Sequence, residues 1–145
     1  MGRPICFDDV SVGMKLKDFQ QTITQEYIDR YAVASLDLNP VHIDPEWASR
    51  AQVFGRPKTV LHGMATMSLM TSVVTRSWGA TAQVWRIKSK FTKPVWVNQT
   101  LTLKGSVRDL HYLNPGRKYA RVYVEATDAE NEVVGFCELD VRLPG

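Results

Sequence analysis

The chain is poor in cysteine and in long apolar runs, and both shortages narrow what it can be. Its 145 residues hold two cysteines, Cys6 and Cys137, near opposite ends and without a C-x-x-C. That spacing offers no disulfide framework and reads as two free thiols in a reducing compartment. No uninterrupted apolar segment approaches the ~18 residues that a membrane helix needs. The opening MGRPICFDDV has no apolar stretch of signal-peptide length. The expectation is a cytoplasmic protein with no membrane partner. Basic blocks are missing too: 18 Lys and Arg against 15 Asp and Glu leave a formal charge of +3 without a clustered run. Nucleic acid is therefore not an expected partner. Internal repeats, low-complexity tracts and linkers are also lacking. What is present is 44% hydrophobic content and four tryptophans, enough for a packed core. One domain over residues 1–145 is expected.

The two halves differ in character. Met14 to Ile23 reads as a strand. Thr24 is placed to cap a helix through Tyr27, Ile28, Tyr31 and Ala32, which recur at helical spacing. Asn39-Pro40 ends it, because proline disfavours a helical residue ahead of it. Asp44-Pro45 reads as an N-cap followed by proline at the first helical position. His62 to Gly79 is the strongest helical pattern, apolar almost all round, and so is expected to be buried. After Thr81 the pattern has a period of two. Trp85, Ile87 and Phe91 alternate with Arg86, Lys88 and Lys90; Thr100–Tyr112, Tyr119–Ala126 and Val133–Leu143 follow, separated by turns. The expected fold class is α+β: a meander of about four antiparallel strands wrapped around one buried helix.

The chemistry concentrates in SLDLNPVHIDPEWA, Ser35 to Ala48. Asp37 and His42 place a carboxylate and an imidazole across a rigid turn. Pro40 restricts the backbone, and Asn39 can bond to nearby backbone and hold the turn. Such side chains titrate at about 3.9 and 6.5 in model peptides, a natural acid–base pair. An Asx-type turn with a partly exposed histidine accounts for the same residues. Val60-Leu61-His62-Gly63-Met64 then enters the long helix. The unpaired N–H groups and positive dipole end of a helix start, with no side chain at Gly63, suit a ligand carbonyl. Close packing at the helix start explains that glycine equally well. His42, Asp44 and His62 match no metal-ligand spacing, and no metal is expected.

D-L-N-P-V-H, then D-P-x-x-A, an aromatic-Gly-Arg-Pro stretch, H-G-M and Lys90-Phe91-Thr92-Lys93-Pro94-Val95 together resemble the MaoC-like (R)-specific enoyl-CoA hydratases and 3-hydroxyacyl-thioester dehydratases. The resemblance runs from about Phe7 to Leu143. It implies the hotdog fold, a curved antiparallel sheet around one helix, usually dimerised so that two sheets join. It also implies hydration of a trans-2-enoyl-CoA to the (R)-3-hydroxyacyl-CoA, or the reverse dehydration. By that resemblance Asp37 and His42 are the catalytic pair, Asn39 their supporting amide, and Gly63 the donor to the thioester carbonyl. Thr71 matches a hydroxyl near the site in some members. His62 and Met64 are expected at the substrate. Arg86, Lys88 and Lys90, which the period of two groups on one strand face rather than the resemblance, either meet the CoA phosphates or form a solvated face. No cofactor is expected; the partners are an acyl-CoA thioester and a second copy of the chain. Leu36 departs from the family, which often has glycine before the aspartate. A hotdog thioesterase using Asp37, or a non-catalytic acyl-CoA-binding domain, are the rival readings.

Overall fold

The computed structural model describes residues 3–145; Met1 and Gly2, part of the opening segment read above, lie outside them. After a 3-10 turn at Phe7–Asp9 come strand β1 (Phe19–Thr22) and helix α1 (Gln25–Ser35). Two short helices, α2 (Pro40–Ile43) and α3 (Pro45–Ala51), lead to the long helix α4 (Gly63–Trp78). Strands β2 (Gln83–Phe91), β3 (Thr100–Asn114), β4 (Arg117–Thr127) and β5 (Val133–Arg142) follow. Among the described residues no helix is long and apolar enough to cross a membrane.

The helices begin where side chains can satisfy the first free N–H groups. Thr24 Oγ1 accepts from the Tyr27 N–H, Asn39 Oδ1 from Val41, and Asp44 Oδ1 from Trp47. Pro40 and Pro45 each take a first-turn position, where no N–H is required. The first helix stops ahead of Asn39-Pro40 as expected, at Leu36, whose φ of 64° is left-handed. The strand expected over Met14–Ile23 is shorter. Met14 and Leu16 do hydrogen-bond along β3, but at Lys17 the N–H turns away to Ser77 Oγ, and the regular ladder resumes only at Phe19.

The five strands form one antiparallel sheet in the order β1-β3-β4-β5-β2. The expected meander holds for β3, β4 and β5 alone. β2 is separated from β3 and pairs with β5 instead, because β1 occupies the outer edge of β3 and only the β5 edge is left. A bulge between Val84 and Arg86 inserts Trp85, which packs edge-on against Tyr119 on the sheet's outer face. Trp85 therefore leaves the face that its alternation with Ile87 and Phe91 implied.

α4 lies across the inner face. There Ala120, Val122, Val124 and Ala126 of β4 and Cys137, Leu139 and Val141 of β5 are buried with Met70, Val73 and Val74 of the helix. Gly105 makes the close approach: a Cβ there would stand 3.2 Å from Val73 Cγ1 and 3.1 Å from Val124 Cγ2. The expectation that α4 is buried all round holds for one side. Met64, Ser68, Thr75 and Arg76 face outward and are exposed, since only one side of the helix meets the sheet.

Candidate active site

α1 delivers Asp37 just after its left-handed end, and α2 carries His42 two residues past Pro40. The segment is pinned from several sides. Asn39 Oδ1 accepts from the Val41 N–H at 3.1 Å, and Gln25 Nε2 donates to the His42 carbonyl at 2.8 Å. Thr59, itself buried, donates to Gln25 Oε1 at 2.6 Å. His42 Nδ1 lies 2.8 Å from the Val60 carbonyl oxygen. A carbonyl only accepts, so Nδ1 carries the proton and Nε2 keeps its lone pair. That Nε2 lies 3.8 Å from Asp37 Oδ2, too long for a direct hydrogen bond and spanned by one water or one substrate atom.

The two groups differ in environment: the His42 side chain is 13% exposed, that of Asp37 53%. Burial, the largest cause, pushes the His42 imidazole below its ordinary value. The neighbouring His62 adds to the fall, while the Val60 carbonyl and Asp37 oppose it.

A cavity of about 350 Å³ opens beside His42. Its wall includes Leu61, Gly63, Thr66, Phe91 and Val134. Gly63 is the first residue of α4, and no group among the described residues accepts from its N–H. A Cβ at Gly63 would lie 3.3 Å from the Phe91 ring, so the glycine keeps that N–H open between ring and helix. A hollow of about 420 Å³ on another part of the surface, lined by Lys15, Lys104 and Arg108, contains none of these groups.

His42 and Gly63 thus share the cavity wall, with Asp37 3.8 Å from His42 and Asn39 capping α2; the remaining expected site residues are placed otherwise. Met64 points outward, 56% exposed, because it follows Gly63 by one residue and so faces away from the cavity. Thr71 donates to the Met67 carbonyl within its own helix and lies off the cavity wall. The hydroxyl at the wall belongs to Thr66, one turn after Gly63, which helical spacing from the glycine would have found. Lys88 and Lys90 project from the outer sheet face, where they oppose Glu138 and Phe136 of β5. The period of two that groups them also puts them opposite Phe91, the β2 residue lining the cavity. His62 is not on the wall; it is buried beneath His42. Phe91 and the Val60 carbonyl do not stand out in the sequence as site groups. A backbone acceptor carries no side-chain signal at all.

Asp37, His42 and His62 can each bring one ligand atom within 4.8 Å of the others. The two imidazoles, however, are stacked with centroids 3.7 Å apart and planes tilted 24°. In-plane lone pairs of such rings run side by side and converge far beyond the roughly 2 Å of a metal–nitrogen bond. The arrangement suits proton exchange at His42 Nε2 better than coordination.

A five-stranded antiparallel sheet curled around one long helix, with an imidazole and a helix N-terminus at one cavity and a carboxylate 3.8 Å from that imidazole, is the architecture of a hotdog-fold protein. The chain belongs to the MaoC like domain family, whose model matches residues 9–133. It is 36% identical over 101 residues to the 3-hydroxyacyl-thioester dehydratase Y of Mycobacterium tuberculosis, covering 68% of this chain and 32% of that protein. The chain spans about a third of that relative's length, and less of two others. It is also similar to the (R)-specific enoyl-CoA hydratase of Rhodospirillum rubrum, 28% identical over 139 residues, covering 95% of this chain and 91% of that one. Among solved structures, R-hydratase PhaJ1 from Pseudomonas aeruginosa superposes with a TM-score of 0.86 at 22% identity, over 97% of this chain and 86% of the other.

Proposed function

We propose that the chain adds water to a trans-2-enoyl-CoA to give the (R)-3-hydroxyacyl-CoA, or runs the reverse dehydration. The observation that carries this reading is the bare Nε2 of His42, 3.8 Å from Asp37 Oδ2 and at the wall of the cavity that Gly63 also lines. Water addition has two proton demands: one proton leaves water as oxygen attacks carbon 3, and one arrives at carbon 2. The bare Nε2, with the Asp37 carboxylate 3.8 Å away to hold the water and face the imidazolium that forms, takes the proton from water and delivers it to carbon 2 from the same face, which gives syn addition. Because Nδ1 is committed to Val60, Nε2 is the His42 atom that exchanges protons. Negative charge develops on the thioester oxygen as carbon 3 is attacked. The free N–H of Gly63 and the positive end of the sixteen-residue α4 are aimed to stabilise it. The relatives named as hydratase and dehydratase support the same chemistry. No step calls for a cofactor.

The test is loss of enoyl absorbance with crotonyl-CoA. Asp37→Asn and His42→Ala should each lower turnover by ~10²-fold or more in folded protein. Release of free thiol from acetyl-CoA instead would mark a thioesterase, and tight binding without turnover a carrier domain. Near-normal turnover in either variant would remove the pair from the mechanism.

A further inference from the structure

His62 is a buried histidine without an assigned part in the proposed reaction. It is 2% exposed and stands immediately before Gly63. Its Nε2 lies 3.0 Å from the backbone carbonyl oxygen of Asp37, so Nε2 carries the proton. Nδ1 is buried with no hydrogen-bond partner among the described residues. One ring face stacks on His42 at 3.7 Å, and Tyr31 of α1 lies 4.7 Å away at a 56° tilt. An orphaned buried nitrogen is a cost, and a purely structural filler of this space would be an apolar ring without it. What the imidazole supplies beyond a phenyl ring is the N–H held on Asp37.

We infer that His62 is the positioning residue of this site: its N–H anchors the Asp37 backbone, and its ring face sets the plane of His42. This rests on the proposed hydratase reading. Three elements meet at this one side chain. The end of α1 supplies Asp37, α2 supplies His42, and α4 starts with Gly63 as the very next residue. A shift of the ring therefore moves acid, base and carbonyl donor relative to one another. His62 touches no substrate atom, since it lies behind the cavity wall.

Two measurements on the full chain test it. In nitrogen-15 NMR, Nε2 of wild-type His62 should carry a proton held in the hydrogen bond to the Asp37 carbonyl; an Nε2 without a proton overturns the inference. Crotonyl-CoA kinetics are then compared for His62→Phe, which keeps the ring face, and His62→Gln, which keeps a donor near the Nε2 position. His62→Phe should lower kcat by ~10–100-fold, as loss of alignment does, with KM within about 3-fold. His62→Gln should recover most of that loss. Wild-type kcat in His62→Phe, or equal impairment in both variants, overturns it as well. Absence of hydration by the wild type would instead overturn the proposed function, and the NMR result would still decide the placement of His62.

Discussion

In the proposed reaction His42 presents a single working nitrogen, and its neutrality decides when the site can act. Burial lowers its pKa from the ordinary 6.5, so the neutral form persists to lower pH and is lost only as pH falls through the lowered value. The acid limb of the kcat/KM profile should therefore have its midpoint below about 6.5, as measured with crotonyl-CoA over pH 4–8. A midpoint above that value would contradict a buried neutral base. Residue type and spacing mark Asp37, Asn39, His42 and Gly63 only as candidates beside plain structural readings, because each lies within one turn or one helix start; the family resemblance is what assigns them roles. The stacking of His42 on His62 has no such mark. Nineteen residues of chain lie between the two histidines, and only the return of the α3–α4 connection lays one ring on the other. Met64 leaves its expected place for the same reason in miniature: one helical residue is a 100° turn, enough to carry a side chain from cavity to solvent.

The elements around the site are held by local devices whose energies can be measured. Leu36 ends α1 with a φ of 64° and is 82% exposed. A side chain in that region costs about 1–2 kcal/mol, whereas glycine there loses about 0.5–1 kcal/mol through unfolded-state freedom. An exposed leucine also gives up little packing when it is removed. Leu36→Gly should thus stabilise the protein by roughly 0.5 kcal/mol in urea denaturation, the difference between those two costs. α2, four residues long, has too few internal hydrogen bonds to stand alone. Its geometry comes from the Asn39 cap, Pro40 and the Gln25 and Val60 hydrogen bonds outside it. The long strands are legible nearly to their ends, because alternation persists through them. β1 is shorter than its composition implies, since nothing in the sequence marks the Lys17 N–H leaving for Ser77.

For the whole molecule, the decisive feature is the free outer edge of β2. Among the described residues that strand pairs only with β5, and its Ile87 and Phe91 are 37% and 44% exposed. A nine-residue edge bearing apolar side chains invites pairing with another strand. We expect a homodimer joined there, and light scattering should show Ile87→Lys shifting the mass toward a single chain. An unchanged dimer would place the contact elsewhere. Strand order lies beyond the sequence, because alternation tells a strand its two faces but not its neighbour. The free edge of β5 exists for β2 only after β1 has covered β3. The sequence by itself determined the caps, the prolines, the existence of α4, the polar window that holds Asp37 and His42, and the α+β class, all consequences of interactions a few residues long. The tertiary structure alone decided which charged and apolar side chains reach the cavity, where β2 pairs, and that His62 lies beneath His42. Those outcomes depend on chain segments distant in sequence closing on one another, and no local pattern encodes that closure.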